Sequence, residues 1–573
     1  MKEKASKNLR RFIVSVGFII CLLHSDLITG QCANWEWARV ATDGGSGGGE
    51  GMAVCNDSAG DIYITGSFEL TPITFGSYTL PNAGSTDIYI AKYNSAGTVL
   101  WAKSIGGSSD ETGYSICTDN YGYIYVTGFF YSPSISFDSY TLTNNGITNI
   151  FIAKYDPLGN VVWAKSAGGS IQDLSYSVTS DNSGNIYLSG SMYSPSMIMG
   201  TDTLINSDAS GNSSDLFIAK YSSASGNVLW AKSMGENSID EALSISATAA
   251  GNLFITGYFL SPSVTFGSYT VNNSDPTGNT WDLFVAKYNS AGNALWAKSV
   301  GGPGYDYGAY IYADDSENAY VTGSFNDTVL NFGGHILTNM NNSGHSDDAF
   351  IAKYDPSGNV IWVKSGGGTN ADLGYSVCKD LFGNIYVTGS FFSSSIVFDS
   401  DTITPPPPLP GPYDPMFILK YDPSGNISCA TYLNTGGDDR SGISVDKWGN
   451  AYVTGDIYTN PSIIGNDTFY PTSSENVFLA KLKSGGSIGV TELVKKPTLT
   501  VFPNPSTGEF NFSGLEKEST IEIYDITGRL VYKVVSGSDA QTIRLAGADQ
   551  GVYFYKVVAA NQNIKEGKII LIQ

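Results

Sequence analysis

The chain has 573 residues with 31 basic and 53 acidic side chains, a formal charge of -22. So acidic a protein repels phosphate backbones and anionic lipid, which removes nucleic acid and the membrane surface from its expected partners. No stretch reaches the roughly 20 apolar residues that a membrane-spanning helix needs.

At the N-terminus, Lys2, Lys4, Lys7, Arg10 and Arg11 precede an apolar run from Phe12 to Leu23, and a short polar segment leads to Gly30 and Gln31. This pattern predicts a secretory signal peptide over residues 1–31. Cys32 follows Gln31 rather than Gly or Ala, which argues against a lipoprotein anchor. Five cysteines remain after processing, an odd number that forbids complete pairing. Cys55, Cys117 and Cys378 share one position of an internal repeat and are read as small buried residues.

That repeat occupies residues 32–482. Val54, Ile116, Val178, Ile245, Ile311, Val377 and Ile443 mark seven copies 62 to 67 residues apart. In the second copy, Tyr114–Thr118 and Tyr123–Phe130 read as strands joined by a tight turn. After a long connection, Ile150–Tyr155 and Asn160–Lys165 are joined by the turn Asp156-Pro157-Leu158-Gly159. In the first copy, pairing Tyr93 with Thr98 puts Ile88, Ile90, Val99 and Trp101 on one face and Tyr89, Ala91, Tyr93 and Leu100 on the other. A sheet that is apolar on both faces needs a neighbour on each side.

Counting strands predicts closure of the array. The last copy ends with its third strand, Val477–Leu482, while Trp35–Val40 at the start has no third strand before it. The two remnants complete one blade and remove the edges of an open stack. The phrases Asp-x-Phe-x-Ala-Lys-Tyr, Asp-Pro-x-Gly-Asn, a Trp strand with Gly-Gly, and Gly-Asn-x-Tyr-Val-Thr-Gly resemble the bacterial seven-bladed β-propeller repeat family over residues 32–482. Cys429 for Trp and Glu317 for the turn Gly depart from the pattern. The resemblance implies an extracytoplasmic scaffold and carries no catalytic motif.

Most repeated residues read as framework: the tyrosines of the second strand, the strand-four tryptophans, and 13 of the 16 basic residues in a segment that holds 42 acidic ones. Variation gathers on the rim that carries the second-to-third connections and the inter-blade loops, including the proline run Pro405–Pro408. A rigid scaffold presents its binding loops in such places. On the same rim, Glu50, Glu111, Asp173, Asp240, Asp306, Asp372 and Asp438 precede the inner strands. A ring of seven carboxylates has the chemistry to bind cations, calcium among them, or sugar hydroxyls. The other reading is that each carboxylate accepts hydrogen bonds from its own Gly-rich loop. His335 and His345 are the only histidines of the processed chain, and both sit in one loop without a ligand cluster or nucleophile spacing.

A linker, residues 483–497, leads to a different module over 498–573. Seven short strands, at Leu499–Phe502, Glu509–Phe512, Thr520–Tyr524, Leu530–Val534, Thr542–Leu545, Val552–Val558 and Lys568–Ile572, predict a small β-sandwich. The phrases around Pro503, Asn504, Pro505 and Gly508, then Asp525, Gly528 and Arg529, then Gly551 and Tyr553, and finally Gly567 and Lys568, resemble the type A sorting domain of type IX secretion. The resemblance implies partnership with the type IX machinery and delivery to the surface or medium of a Bacteroidota-type bacterium.

The expectation is therefore an all-β chain: a seven-bladed propeller closed by an N-terminal strand, plus a C-terminal sandwich. Its expected role is adhesion or binding of a glycan or protein through the variable rim. The alternatives are a polysaccharide-active enzyme using carboxylates of that rim and a purely structural surface component.

Overall fold

The computed structural model describes residues 35–572 except 44, 46, 342–345, 400, 405–414, 435–440, 459–461, 466, 471–474, 484–499, 503–505, 514, 516–517, 539, 546 and 559–563. The predicted signal peptide, Cys32, His345, the proline run, Asp438, Pro503, Asn504 and Pro505 therefore lie outside the described residues, as does nearly all of the predicted linker. The chain divides into two compact units, Met1–Gly485 and Gly486–Gln573.

Every described element of the first unit is a β-strand. Its repeated element is an antiparallel sheet of four strands in chain order, such as Glu111–Thr118, Ile124–Phe130, Asn149–Tyr155 and Val161–Ala167. Six such sheets occur among the described residues, and a seventh set, Asp306–Ala313, Ala319–Phe325, Asp348–Tyr354 and Val360–Gly367, continues into the following hairpin as a sheet of six strands. The last sheet along the chain consists of Gly442–Val445, Ala451–Ile457, Asn476–Leu482 and, as its fourth strand, the N-terminal Trp35–Val40. Trp37 pairs with Lys481 and Val40 with Phe478, so the two remnants join through backbone hydrogen bonds. The first strand of each sheet lies against the first strand of the next, and Gly49–Asn56 lies against both Glu111–Thr118 and Gly442–Val445. First strands are thus innermost, and the ladder of neighbours returns to its start.

The repeated Trp, Gly and Lys fasten one sheet to the next. Gly159, on the third-to-fourth turn of the second copy, lies under Trp101 of the first copy, where an added Cβ would stand 3.0 Å from the indole. The same contact joins Gly226 to Trp163, Gly292 to Trp230, Gly358 to Trp296 and Gly425 to Trp362. The indole N–H of Trp163 donates to the Ser223 carbonyl at 2.9 Å, and Lys154 Nζ donates to the same carbonyl at 3.0 Å. Half-buried or buried, these lysines lay their stems on the blade and cap the neighbour's turn with the ammonium. The second-strand tyrosines are fixed similarly: Tyr187 donates to Asp181 at 2.8 Å and Tyr452 to Asp446 at 3.0 Å.

Two local expectations change. Tyr93 pairs with Val99, not Thr98, because Gly97 takes φ +76° and the pairing slips by one residue after the turn. Leu100 then points outward and is 40% exposed rather than packed on a blade face. The second-to-third connections hold a two-stranded hairpin in each copy, for instance Ser134–Phe137 with Tyr140–Thr143. Ile135, Phe137 and Leu142 of that hairpin are buried in the core between sheets, so much of this rim is framework. His335 lies exposed on one such hairpin, His335–Thr338.

Cys55, Cys117 and Cys378 are free thiols, and burial raises the pKa of each. Cys429 is disulfide-bonded. It occupies the Trp position of the sixth sheet, whose neighbour is the one sheet with no covalent third-to-fourth turn for a Trp to cover.

The second unit has a three-stranded sheet, Thr500–Phe502, Glu509–Ser513 and Ala540–Arg544, and a four-stranded one, Leu530–Val535, Thr520–Tyr524, Gly551–Val558 and Ile564–Leu571. Both contribute to one core that includes Phe510, Phe512, Ile521, Ile523, Ile543 and Ile569.

A disulfide at Cys429 limits the unfolded ensemble, so Cys429→Ser is expected to destabilise the first unit by about 2–4 kcal/mol. Urea unfolding followed by tryptophan fluorescence reads this as an earlier first transition; an unchanged midpoint would show that the bond adds nothing to closure.

Candidate functional site

In six sheets the innermost strand carries a bulge. Pairing with the second strand skips Met52, Tyr114, Tyr176, Ala309 and Tyr375 in five copies, and Ala242 with Leu243 in the fourth. Opposite each bulge stands the Gly of the Thr-Gly or Ser-Gly phrase. A Cβ on Gly66, Gly128, Gly190, Gly257, Gly323 or Gly389 would sit 1.9–2.0 Å from a first-strand carbonyl oxygen. The repeated Gly is therefore a steric requirement of the bulge, and the bulge re-aims a side chain.

Met52, Tyr114, Tyr176, Leu243, Ala309 and Tyr375 line a cavity of about 320 Å³ among the innermost strands, together with Tyr307, Tyr310 and Leu373. The size is that of a small-ligand pocket. Its wall is aromatic with hydroxyl edges. Tyr114 packs on Phe129 and Tyr176 with ring centroids 5.4 and 5.7 Å apart. The Tyr176 hydroxyl lies 3.2 Å from both Ser191 Oγ and Glu241, and the Tyr375 hydroxyl 2.9 Å from Ser390 Oγ. Alternation along the first strand marks these residues, but the bulge that turns them inward has no local signature beyond the facing Gly.

The predicted acids lie elsewhere. Glu111, Asp173, Asp240, Asp306 and Asp372 are fully buried, and none of them lines the cavity. Each is bonded to its own loops. Glu111 accepts from the Gly107 N–H at 2.6 Å and the Ser132 N–H at 3.1 Å. Asp173 accepts from the Gly169 N–H at 2.7 Å and the Ser194 hydroxyl at 2.8 Å. Asp240 accepts from the Glu236 N–H and the Ser261 hydroxyl, and Asp372 from the Ser393 hydroxyl. Burial pushes Asp240 up to about 7 and Asp372 up to about 8. Glu50 is out of step with the others: it pairs with Ser67, whereas Gly49 pairs with Phe68, the partner position that Glu111 takes opposite Phe130. The offset is in the sequence itself: Glu50 stands four residues before Val54, whereas Glu111 stands five before Ile116, and both copies carry the same one-residue bulge. Among the described residues no group of three or more His, Cys, Asp and Glu side chains is arranged to hold a metal ion, so the calcium expectation finds no donor set there.

The fifth copy differs. Where the second, third, fourth and sixth copies have Ser132, Ser194, Ser261 and Ser393, it has Asp327, which is buried beside Asp306. Burial and the adjacent carboxylate push Asp306 far above the carboxylate range.

In the second unit, Asp525 caps a turn. Its carboxylate accepts from the Thr527 and Arg529 N–H groups and from Arg529 Nε at 2.9 Å, with Gly528 at φ +83°. The Tyr553 hydroxyl donates to the Asp549 carbonyl at 2.6 Å. Gly567 leaves room for Tyr555, whose hydroxyl would stand 2.4 Å from a Cβ there. Gly508 and Gly551 adopt φ of +128° and +154°, and Lys568 lies on the last strand, facing Phe554. Residues 500–573 match the family described as the secretion system C-terminal sorting domain. This segment is a type IX sorting domain. The sorting domain directs the protein to the cell surface or beyond and implies contact with the type IX secretion machinery.

Other relatives resemble the chain more broadly. An uncharacterized WD repeat-containing protein of Acanthamoeba polyphaga mimivirus is 25% identical over 494 residues, 72% of this chain and 35% of the relative. The regulatory protein FlaEY of Caulobacter vibrioides is 23% identical over 372 residues, 59% of this chain and 37% of its own length. The chain thus spans about a third of the curated relatives it matches. Among solved structures, PorZ, a surface component of the type IX secretion system of Porphyromonas gingivalis, is 12% identical with a TM-score of 0.21, covering 91% of this chain and 81% of its own.

The Asp306–Asp327 pair makes stability depend on pH. A buried carboxyl with a raised folded pKa contributes stability that is complete below the unfolded value near 4 and is lost as pH rises through the folded value. Asp327→Ser, the residue of four other copies, removes the adjacent carboxylate but leaves the burial that raises Asp240 and Asp372, so it lessens that loss at the upper end of the range. Its advantage over the parent in urea midpoint is expected to widen from pH 7 to pH 9, by up to about 1.4 kcal/mol per pH unit; a gap independent of pH would show that the pair shares no proton.

Proposed function

We propose that the chain is an exported seven-bladed β-propeller, closed by its N-terminal strand, that binds a ligand at the mouth of its axial channel and is delivered by a C-terminal β-sandwich. In this reading residues 1–31 are the signal peptide, 32–482 the propeller, 483–497 the linker and 498–573 the sandwich. The observation that carries it is the set of bulged side chains, three of them tyrosines, that face one cavity. A wall of tyrosines with hydroxyl edges, one of them bonded to the buried Glu241, supports recognition.

We assign the buried inter-blade acids to the scaffold. Each accepts from an amide or hydroxyl of the loops around it, the second of the two roles open to it. A carboxylate-based hydrolase draws little support from side chains so fully buried.

Two experiments test this reading. Deleting residues 500–573 is expected to leave the protein behind the outer membrane, read by fractionation and surface proteolysis; surface display of the truncated form would remove the delivery role. For the channel, the full chain is applied to glycan and peptide arrays. Tyr114→Ala and Tyr176→Ala are each expected to lower the strongest signal about tenfold or more, as truncation of an aromatic anchor does. Signals equal to the parent for both variants would sink the channel as the binding site.

A further inference from the structure

The framework tryptophans share one repeat position, and Trp281 does not. It directly precedes the third strand of the fourth sheet, Asp282–Tyr288, where other copies have Thr86, Thr148, Ser214, Asp347 and Glu475. Its ring stacks on Tyr258 at 4.7 Å with an interplanar angle of 22°. Tyr305 and Tyr307 meet it at 64° and 76°, with centroids 5.2 and 6.4 Å away. The Trp281 carbonyl accepts the Asp306 N–H at 2.8 Å, which ties the platform to the next inter-blade loop. Tyr305 is 45% exposed, while Tyr307 lines the channel. An aromatic surface built from unrepeated residues therefore runs from the rim into the cavity.

We propose that Tyr258, Trp281, Tyr305 and Tyr307 form a subsite for a neutral saccharide at the channel mouth; this rests on the reading of the channel as a binding site. The chemistry narrows the ligand. A pyranose presents flat patches of C–H that gain from lying on an aromatic face, and its hydroxyls suit the tyrosine edges and the Asn326 amide, whose oxygen already accepts the Tyr305 N–H at 2.6 Å. An aromatic cage for a quaternary ammonium turns several ring faces toward one point. Here one ring stacks flat on the indole and two stand steeply to it, a platform rather than a cage. A polyanionic glycan is disfavoured by 42 acidic against 16 basic side chains over residues 32–482.

The test titrates the full chain with neutral hexasaccharides of glucose, mannose and N-acetylglucosamine, following tryptophan fluorescence and calorimetry, with choline and a hexalysine peptide as cationic probes. At least one neutral hexasaccharide is expected to bind and to perturb the fluorescence. Trp281→Ala and Tyr258→Ala should each weaken binding tenfold or more, Trp281→Phe should retain most of it, and Trp448→Ala should leave it unchanged. A neutral saccharide whose affinity survives Trp281→Ala but falls with Tyr176→Ala would overturn the subsite and leave the channel reading standing. Binding of the cationic probes alone, or of no probe at millimolar concentration, would overturn the saccharide assignment.

Discussion

Each repeat folds into a sheet that is apolar on both faces, and everything else follows from that constraint. In the second sheet, Ile150 and Ile152 face the core shared with the third, while Phe151 and Ala153 face the core shared with the first. No sheet satisfies both faces alone, so the array either ends in costly apolar edges or returns on itself. The return is made at Trp35–Val40, whose backbone completes the ladder that Asn476–Leu482 leaves open. The departure at Cys429 has its reason in the same place. Where the next sheet offers no continuous turn, an indole would have no glycine to cover, and the position holds a disulfide-bonded cysteine instead.

Close packing within each sheet determines what the innermost strands can present. Six of them approach the second strand so tightly that only a glycine fits opposite the carbonyl before the bulge. The framework phrase therefore has a functional consequence, because the bulge turns Tyr114, Tyr176 and Tyr375 toward the axis. Scaffold and site are made by the same few residues, with the side chain at the bulge free to differ from copy to copy: Met52, Leu243 and Ala309 occupy it elsewhere.

Long-range periodicity made the sheets, their strand order and the roles of the repeated Trp, Tyr and Lys legible in the sequence. What escaped it was local. The hairpins of the second-to-third connections were written in phrases such as Ile73-Thr74-Phe75-Gly76-Ser77-Tyr78-Thr79-Leu80, alternating apolar residues about a two-residue turn with Gly76 at φ +59°. Their lengths vary, and that hid a recurrent unit inside a region read as variable loop. The acids stayed open between two roles because a sequence does not show whether the amides of a glycine-rich loop fold over a carboxylate, as those of Gly107 and Gly169 do.

Burial of those acids also changes what the charge count means. Asp240 and Asp348 are pushed up to about 7 and Asp372 up to about 8, each chiefly by burial, and Asp306 lies higher still. Such groups hold a proton for much of the time near neutrality, so the field at the rim is weaker than the formal excess of acids implies. The remaining charge is largely spent on turns, where Asp119, Asp181, Asp380 and Asp446 each accept backbone N–H groups and a tyrosine hydroxyl at the opposite ends of the blades. The mouth of the channel is left with aromatic faces and hydroxyls as its dominant chemistry. On the proposed reading, selectivity there would come from shape and stacking, with the acidity of the chain opposing polyanions.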